Sequence, residues 1–251
     1  MRDGGVRLGL LYPGGGAEQD YYLFGEAVQD RVRTFLVGTR VGGGGSDDHG
    51  VASLLRTAEV DNLTEATRRL SLVRPDVVMW ACTSASFIVG RRGAERQAQA
   101  MSEVAKVPAS STSLAFAHAL TMFGLRRVAV LAPYPEPASR AFVSFLREWN
   151  IEVDGFRWLD APNGFDSALI PAETVVRAAQ ETDRNAADAF LIPDTALSTM
   201  SIVDELERVL GKLVLTANQV TIWEGLRLAG STLTVPGYGR LLATAPAEIL
   251  R

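Results

Sequence analysis

One thiol and one carboxyl of this chain stand at corresponding places, and both are side chains that can move protons. Cys82 is the only cysteine of the 251 residues. It follows Asp76-Val77-Val78-Met79-Trp80-Ala81, a short apolar run typical of a central strand in a parallel sheet. It precedes Thr83-Ser84-Ala85-Ser86-Phe87, which opens with good helix-capping residues. A thiol at a strand end, ahead of a helix N-terminus, sits in a positive local field. Such settings lower the free-cysteine pKa of about 8.5 to roughly 3.5–7.5. Cys82 is therefore a candidate nucleophile or proton carrier, with a buried structural cysteine as the alternative. Asp194 ends a similar run, Ala189-Phe190-Leu191-Ile192-Pro193, and precedes Thr195-Ala196-Leu197. Three roles fit it: an acid or base facing Cys82, a ligand for a substrate cation, or a plain helix cap worth about 1 kcal/mol.

Other chemistry is thinner. Gly14-Gly15-Gly16 follows the first strand-like run, where backbone N–H groups can cradle an anion. The pattern lacks GxGxxG, which argues against a dinucleotide. Gly42–Gly45 opens a glycine-rich stretch ending Ser46-Asp47-Asp48-His49-Gly50, without the Gly-Lys-Ser/Thr of a phosphate loop. It reads as a flexible loop, with a substrate lid as the second reading. His118 lies in Ala115-Phe116-Ala117-His118-Ala119-Leu120 and reads as a packed helix histidine. Two histidines and one cysteine, far apart, give no zinc spacing, so no metal is expected. The net charge of −4 and scattered arginines argue against nucleic acid. No apolar stretch approaches the roughly 18–20 residues of a membrane span, and the N-terminus lacks a signal-type apolar region. One cysteine excludes an intrachain disulfide, and a cytoplasmic location is expected.

The elements that must position these residues alternate. Strands are predicted over Val6–Tyr12, Thr34–Val37, Val77–Ala81, Arg127–Leu131, Val153–Trp158, Ala189–Ile192 and Leu213–Thr216. Helices are predicted over Val51–Leu72, Ala94–Val104, Ser113–Phe123, Pro137–Trp149, Ala172–Glu181, Met200–Leu210 and Val220–Ala229. The fold class is α/β with parallel sheets, in which ligands bind beyond the carboxyl ends of the strands. The chain also carries a diverged repeat. Lys106, Leu120 and Gly124 recur as Lys212, Leu226 and Gly230, each 106 residues on, and Cys82 and Asp194 are 112 apart. Two pseudo-symmetric lobes would place Cys82 and Asp194 on opposite sides of one cleft. The expected division is 1–113 with 231–251 for the lobe carrying Cys82, and 114–230 for the lobe carrying Asp194.

Ala81-Cys82-Thr83-Ser84-Ala85-Ser86-Phe87 resembles the first cysteine motif of the maleate cis-trans isomerases. Those enzymes stand with the arylmalonate decarboxylases in the aspartate/glutamate racemase superfamily. The resemblance runs along almost the whole chain. Ala132-Pro133-Tyr134, Asn163 ahead of Pro171-Ala172-Glu173, Leu210-Gly211-Lys212 through Asn218-Gln219, Trp223, Leu226 and Gly230, and Gly237-Tyr238-Gly239-Arg240-Leu241-Leu242 fall in the family's order. It implies two Rossmann-like lobes with the active site between them, no metal and no organic cofactor. It implies that Cys82 attacks a substrate double bond or carries a proton. Thr83, Ser84, Tyr134, Asn163 and, beside Asp194, Thr195 would then bind a small carboxylate. Such donors stabilise the enediolate-like charge that develops at the α-carbon. The sequence departs from the family twice. Asp194 stands at the position of the second cysteine, and Tyr12-Pro13-Gly14-Gly15-Gly16-Ala17-Glu18 offers no Asn for substrate, so that contact either comes from glycine N–H groups or is absent.

The expected activity is a cofactor-independent isomerase or racemase of a small carboxylate, using Cys82 and Asp194. An arylmalonate-type decarboxylase is the alternative, and a non-catalytic binder of a small metabolite is the alternative of another class. An ionised Asp194 about 4 Å from a substrate carboxylate would repel it by about 4 kcal/mol at an effective dielectric of 20. Either Asp194 is protonated in the complex, or the substrate presents a neutral or cationic group there. A monocarboxylate or amino-acid-like substrate is the expectation on that ground. A homo-oligomer is compatible with the sequence, which specifies no interface.

Overall fold

The alternating apolar runs resolve into two sheets with the same strand order. The computed structural model describes residues 5–42, 48–184 and 186–244. The first half runs β1 (Val6–Tyr12), α1 (Glu18–Val28), β2 (Val32–Gly38), α2 (Val51–Thr57), α3 (Val60–Ser71), β3 (Val77–Trp80), α4 (Thr83–Phe87), α5 (Gly90–Ala105), β4 (Ala109–Ser111) and α6 (Thr112–Met122). The second half runs β5 (Arg127–Ala132), α7 (Glu136–Arg147), β6 (Glu152–Trp158), α8 (Gly164–Ala168), α9 (Ala172–Thr182), β7 (Ala189–Ile192), α10 (Val203–Leu210), β8 (Leu213–Thr216) and α11 (Ala217–Leu228), followed by α12 (Gly239–Ala243). The sheets are ordered β2-β1-β3-β4 and β6-β5-β7-β8, and every pairing is parallel. Cys82 and Asp194 thus follow β3 and β7, which hold the same position in the two sheets.

Strand periodicity explains the second sheet. Val128, Val130 and Ala132 of β5, Ala189 and Leu191 of β7 and Leu215 of β8 face a core shared with the first half. Their neighbours Ala129, Leu131, Phe190, Ile192 and Val214 face a separate apolar layer under α9 and α10. Both faces are covered, so β7 and β5 beyond Arg127 are apolar, whereas the edge strand β6 carries Glu152, Asp154 and Arg157.

Helix α11 follows the second sheet but lies on the first. A Cβ at Gly225 would stand 2.5 Å from Leu8 Cδ1 and 3.2 Å from Met79 Cγ, so only glycine permits this approach to β1 and β3. Helices α6 and α11 pack on each other, with Thr112 Oγ1 2.6 Å from Thr221 Oγ1 and His118 Nδ1 2.6 Å from Glu224 Oε1. His118 and Glu224 are 106 residues apart, the spacing of the repeat, so a local two-fold axis passes between them. The left-handed glycines after the two helices, Gly124 and Gly230, keep that spacing. The N-caps Ser111 and Thr216 are one residue closer, and α11 is one residue longer than α6.

Two expectations are corrected. The helix predicted over Val51–Leu72 is broken at Ala58 and Glu59, where Glu59 is extended. The carbonyls involved are satisfied from outside: Asn62 Nδ2 donates to Thr57 O at 3.0 Å, and Gln97 Nε2 donates to Ala58 O at 2.7 Å. Strand β4 was not predicted, because Ala109-Ser110-Ser111 carries no apolar signal. The segment 231–244 touches both halves. Tyr238 packs its ring on Phe24 of α1, while Gly239 N–H and Arg240 N–H donate to Asp204 and Glu207 of α10.

Candidate active site

Cys82 ends the path of β3, whose exit is fixed by Ala81 N–H donating to Leu11 O at 2.8 Å. It is the N-cap of α4 and is buried, with its Sγ 3.8 Å from Ser84 Oγ. Helix α4 has only five residues, so its dipole is small and the expected field at the thiol must come chiefly from neighbouring groups. Thr83 is buried and its Oγ1 has no hydrogen-bond partner. Helix α4 reaches the second half through Phe87, whose ring meets Tyr134 edge-on at 5.7 Å.

Asp194 follows β7 and Pro193. No helix begins there, and the N-cap of α10 is Ile202, so the helix-cap role is excluded. Asp194 Oδ1 instead accepts from Ala196 N–H at 2.9 Å, closing a tight Asx-type turn. Its Oδ2 is buried, and the Ser167 hydroxyl lies near the carboxyl but outside hydrogen-bonding geometry. Burial raises the carboxyl above its ordinary range; the charge of nearby His49, the Ala196 N–H and the Ser167 hydroxyl pull it back without offsetting burial. A carboxyl so placed keeps its proton to higher pH than an exposed one.

The lobes meet at this turn. Tyr12, at the end of β1, donates its hydroxyl to Thr195 O at 3.1 Å and accepts from Ala17 N–H at 3.0 Å. A Cβ at Gly16 would lie 2.4 Å from Ala196 Cα, so the first loop requires glycine where it passes the Asp194 turn. Asp20 of α1 binds the same segment. Its carboxylate accepts from Ser198 Oγ at 2.6 Å, Thr199 N–H at 3.2 Å, Met200 N–H at 3.3 Å and Asn218 Nδ2 at 2.9 Å. Tyr21 donates to Asn218 Oδ1 at 2.7 Å. Burial raises the Tyr12 and Tyr21 phenols well above their ordinary range, and Asp194 adds to this at Tyr12 as Cys82 does at Tyr21. Both phenols stay neutral. Their rings meet edge-on at 6.0 Å, linking the surroundings of the thiol to those of the carboxyl.

The other expected residues fall into two groups. Tyr134 and Thr195 are buried beside Asp194, and Tyr134 donates its hydroxyl to Pro193 O. Asn163 is turned onto its own helix: Oδ1 accepts from Asp166 N–H at 3.0 Å, and Nδ2 donates to Asp166 Oδ2 at 2.7 Å. Its backbone pairs with Asp48, which anchors the segment entering α2. The glycine N–H groups expected to cradle a ligand are taken by the chain itself, since Gly15 and Gly16 N–H donate to the Glu18 carboxylate at 2.7 and 3.1 Å.

His49 was not singled out. Most of the glycine-rich stretch, 43–47, lies outside the described residues, but its end is firmly placed. His49 is 1% exposed, its N–H donates to Pro162 O at 2.9 Å, and its Nδ1 donates to Ala161 O at 2.9 Å. The ring meets Tyr134 edge-on at 4.8 Å. Position after the second strand of a parallel sheet was the available signal, and the polar, glycine-rich surroundings masked it.

A family model described as arylmalonate decarboxylase matches residues 56–242, well over half of the chain. The chain belongs to the arylmalonate decarboxylase family. Among curated members, the arylmalonate decarboxylase of Bordetella bronchiseptica is 29% identical over 187 residues, covering 73% of this chain and 78% of that protein. The maleate isomerase of Nocardia farcinica is 28% identical over 174 residues, covering 67% and 69%. A solved structure of the Nocardia farcinica maleate cis-trans isomerase, a cysteine-to-serine mutant with a covalently bound succinylcysteine intermediate, superposes with a TM-score of 0.86 at 22% identity over 96% of this chain and 99% of that chain. The family's two-lobed α/β fold is therefore the fold of this chain.

Proposed function

We propose that this protein is a cofactor-independent isomerase or racemase of a small carboxylic acid. Cys82 is its nucleophile or first base, and Asp194 is the opposed acid. The observation that carries this reading is the placement of a buried thiol and a buried, proton-retaining carboxyl after the equivalent strands β3 and β7. Thr83 Oγ1 and Asp194 Oδ2, both buried without partners, are then the atoms that a substrate would satisfy.

For an unsaturated diacid the steps balance as follows. The Cys82 thiolate forms a C–S bond to one alkene carbon, and the π pair moves to the other as an enediolate. Asp194 delivers its proton to that carbon, giving a saturated thioether free to turn about its central bond. Asp194 then retakes a proton and the C–S bond breaks, releasing the other isomer. The succinylcysteine of the Nocardia farcinica relative is a thioether of this kind. For a racemase, Cys82 removes the α-proton and Asp194 supplies one to the opposite face. Hydroxyls of Thr83 and Ser84 hold the carboxylate as charge develops.

Decarboxylation of a substituted malonate is the second reading, favoured by the family description. Proton NMR in D₂O separates the two. Protein and a Cys82→Ala variant are incubated with maleate, aspartate, glutamate, phenylmalonate and a hydantoin. Isomerisation or α-deuteration that disappears in Cys82→Ala is expected. Loss of a carboxyl with gain of one deuteron would promote the decarboxylase. Turnover that persists in Cys82→Ala, or none with any compound, would count against the assigned roles.

A further inference from the structure

A substrate carboxylate drawn into this buried site favours a compensating charge, and the described residues offer one source. No described lysine or arginine is fully buried. His118, the other histidine, is half-exposed at the α6–α11 contact. His49 alone among basic side chains is fully buried, and it stands at the site. Its Nδ1–H is committed to Ala161 O, so the ring's tautomer and orientation are fixed. Its Nε2 is buried and has no hydrogen-bond partner. Asp194 Oδ2, close enough to feel the charge of His49, is in the same condition. The His49 ring packs on Tyr134, whose hydroxyl donates to Pro193 O, so the imidazole stands one side chain away from the Asp194 turn.

We propose that His49 is the cationic specificity residue of this site: as an imidazolium, its Nε2–H donates to one carboxylate of a dicarboxylate whose other carboxylate lies at Thr83 and Ser84. The inference rests on the function proposed above and adds to it the residue that recognises the second carboxylate. It revises the sequence expectation of a monocarboxylate, which assumed that Asp194 faced the substrate with no cation beside it. With His49 charged, a second carboxylate meets a donor and a positive charge rather than bare repulsion. The titratable groups around the ring are Tyr134 from the segment after β5, Asp194 from the segment after β7, and Asp48 next to it in the chain. Tyr134 donates to Pro193 O, and Asp48 Oδ1 accepts from Gly50 N–H at 2.8 Å, so Asp194 is the carboxyl left to respond to His49.

The test uses maleate and maleamate, which differ by one carboxylate. Wild-type protein is expected to bind maleate at least about tenfold more tightly than maleamate, and His49→Gln to lose that preference. Protein labelled with ¹⁵N-histidine supplies a second readout, because the chain has only two histidines and His49→Gln identifies the signals. In the maleate complex both His49 nitrogens are expected to carry protons. A bare Nε2 in that complex, or an unchanged preference in a folded His49→Gln, would overturn this inference alone. If the variant does not fold, the wild-type nitrogen signals still decide. Failure of wild type to bind either acid, or any other of the NMR panel, would overturn the proposed function together with it.

Discussion

Asp194 carries a signature in stability, separate from its proposed part in catalysis. Its carboxyl is raised in the folded state, mainly by burial. Below the ordinary aspartate range the folded and unfolded chains both hold this proton, and burial costs little. As pH rises through that range toward the raised folded value, the unfolded chain ionises first and stability is lost. Asp194→Asn is therefore expected to raise Tm by a few degrees at pH 8 and to leave it nearly unchanged at pH 4. Calorimetry at the two values checks this, and an equal or opposite change at pH 8 would show that the carboxyl is ionised at no cost in the fold. The places of Cys82 and Asp194 just beyond strand ends were legible in the sequence because each ends an apolar run, a pattern that local strand physics enforces. The capping bond of Asn163 was not legible, because a residue ahead of a helix start serves equally as a cap and as a ligand. His49 was invisible because its burial comes from Tyr134, Ala161 and Pro162, all more than 80 positions away in the chain.

At the scale of elements, the contact between α6 and α11 has the opposite pH behaviour. Glu224 is buried, which pushes its carboxyl up, but hydrogen bonds from His118 and Arg227 more than offset this and hold it below the ordinary range. A lowered carboxyl contributes stability above the ordinary glutamate range, and that contribution is lost as pH falls toward the lowered folded value. Glu224→Gln is expected to cost about 1–3 kcal/mol at pH 7, discounted because His118 and Arg227 are partly exposed. The cost should shrink as acid protonates the wild-type residue. A loss independent of pH in urea titrations at pH 7 and pH 4 would point to packing instead. The 106-residue repeat made α6 and α11 visible as equivalent elements, yet it did not show that they touch. Two copies of a pattern say nothing of the axis relating them. Likewise the periodicity of Val51–Leu72 predicted a helix there but not its break at Glu59, because Asn62 and Gln97 stabilise that break from positions periodicity does not weigh.

For the whole molecule, the consequence of this pairing is that neither half closes its own core. The first sheet is covered by α11, which is made from residues 217–228, and Gly225 rests on Leu8 and Met79 of that sheet. One apolar cluster runs from Leu8 and Val78 through Phe116 and Trp223 to Val130 and Leu191. Alternation and repetition suggest two similar lobes, but they do not show that α11, which follows the second sheet, packs on the first. A fragment of residues 1–125 would expose the faces of β1 and β3 that α11 covers, an apolar area large enough to favour aggregation or a loosely packed state. The full chain is expected to unfold in a single cooperative transition, and the isolated fragment to show poor amide dispersion and no cooperative melt. Mixing it with a fragment of residues 126–251 should restore dispersion, because α11 can then dock on β1 and β3. A cooperative melt of the 1–125 fragment alone would mean that the first sheet does not depend on α11, and that the site is assembled from two units that fold separately.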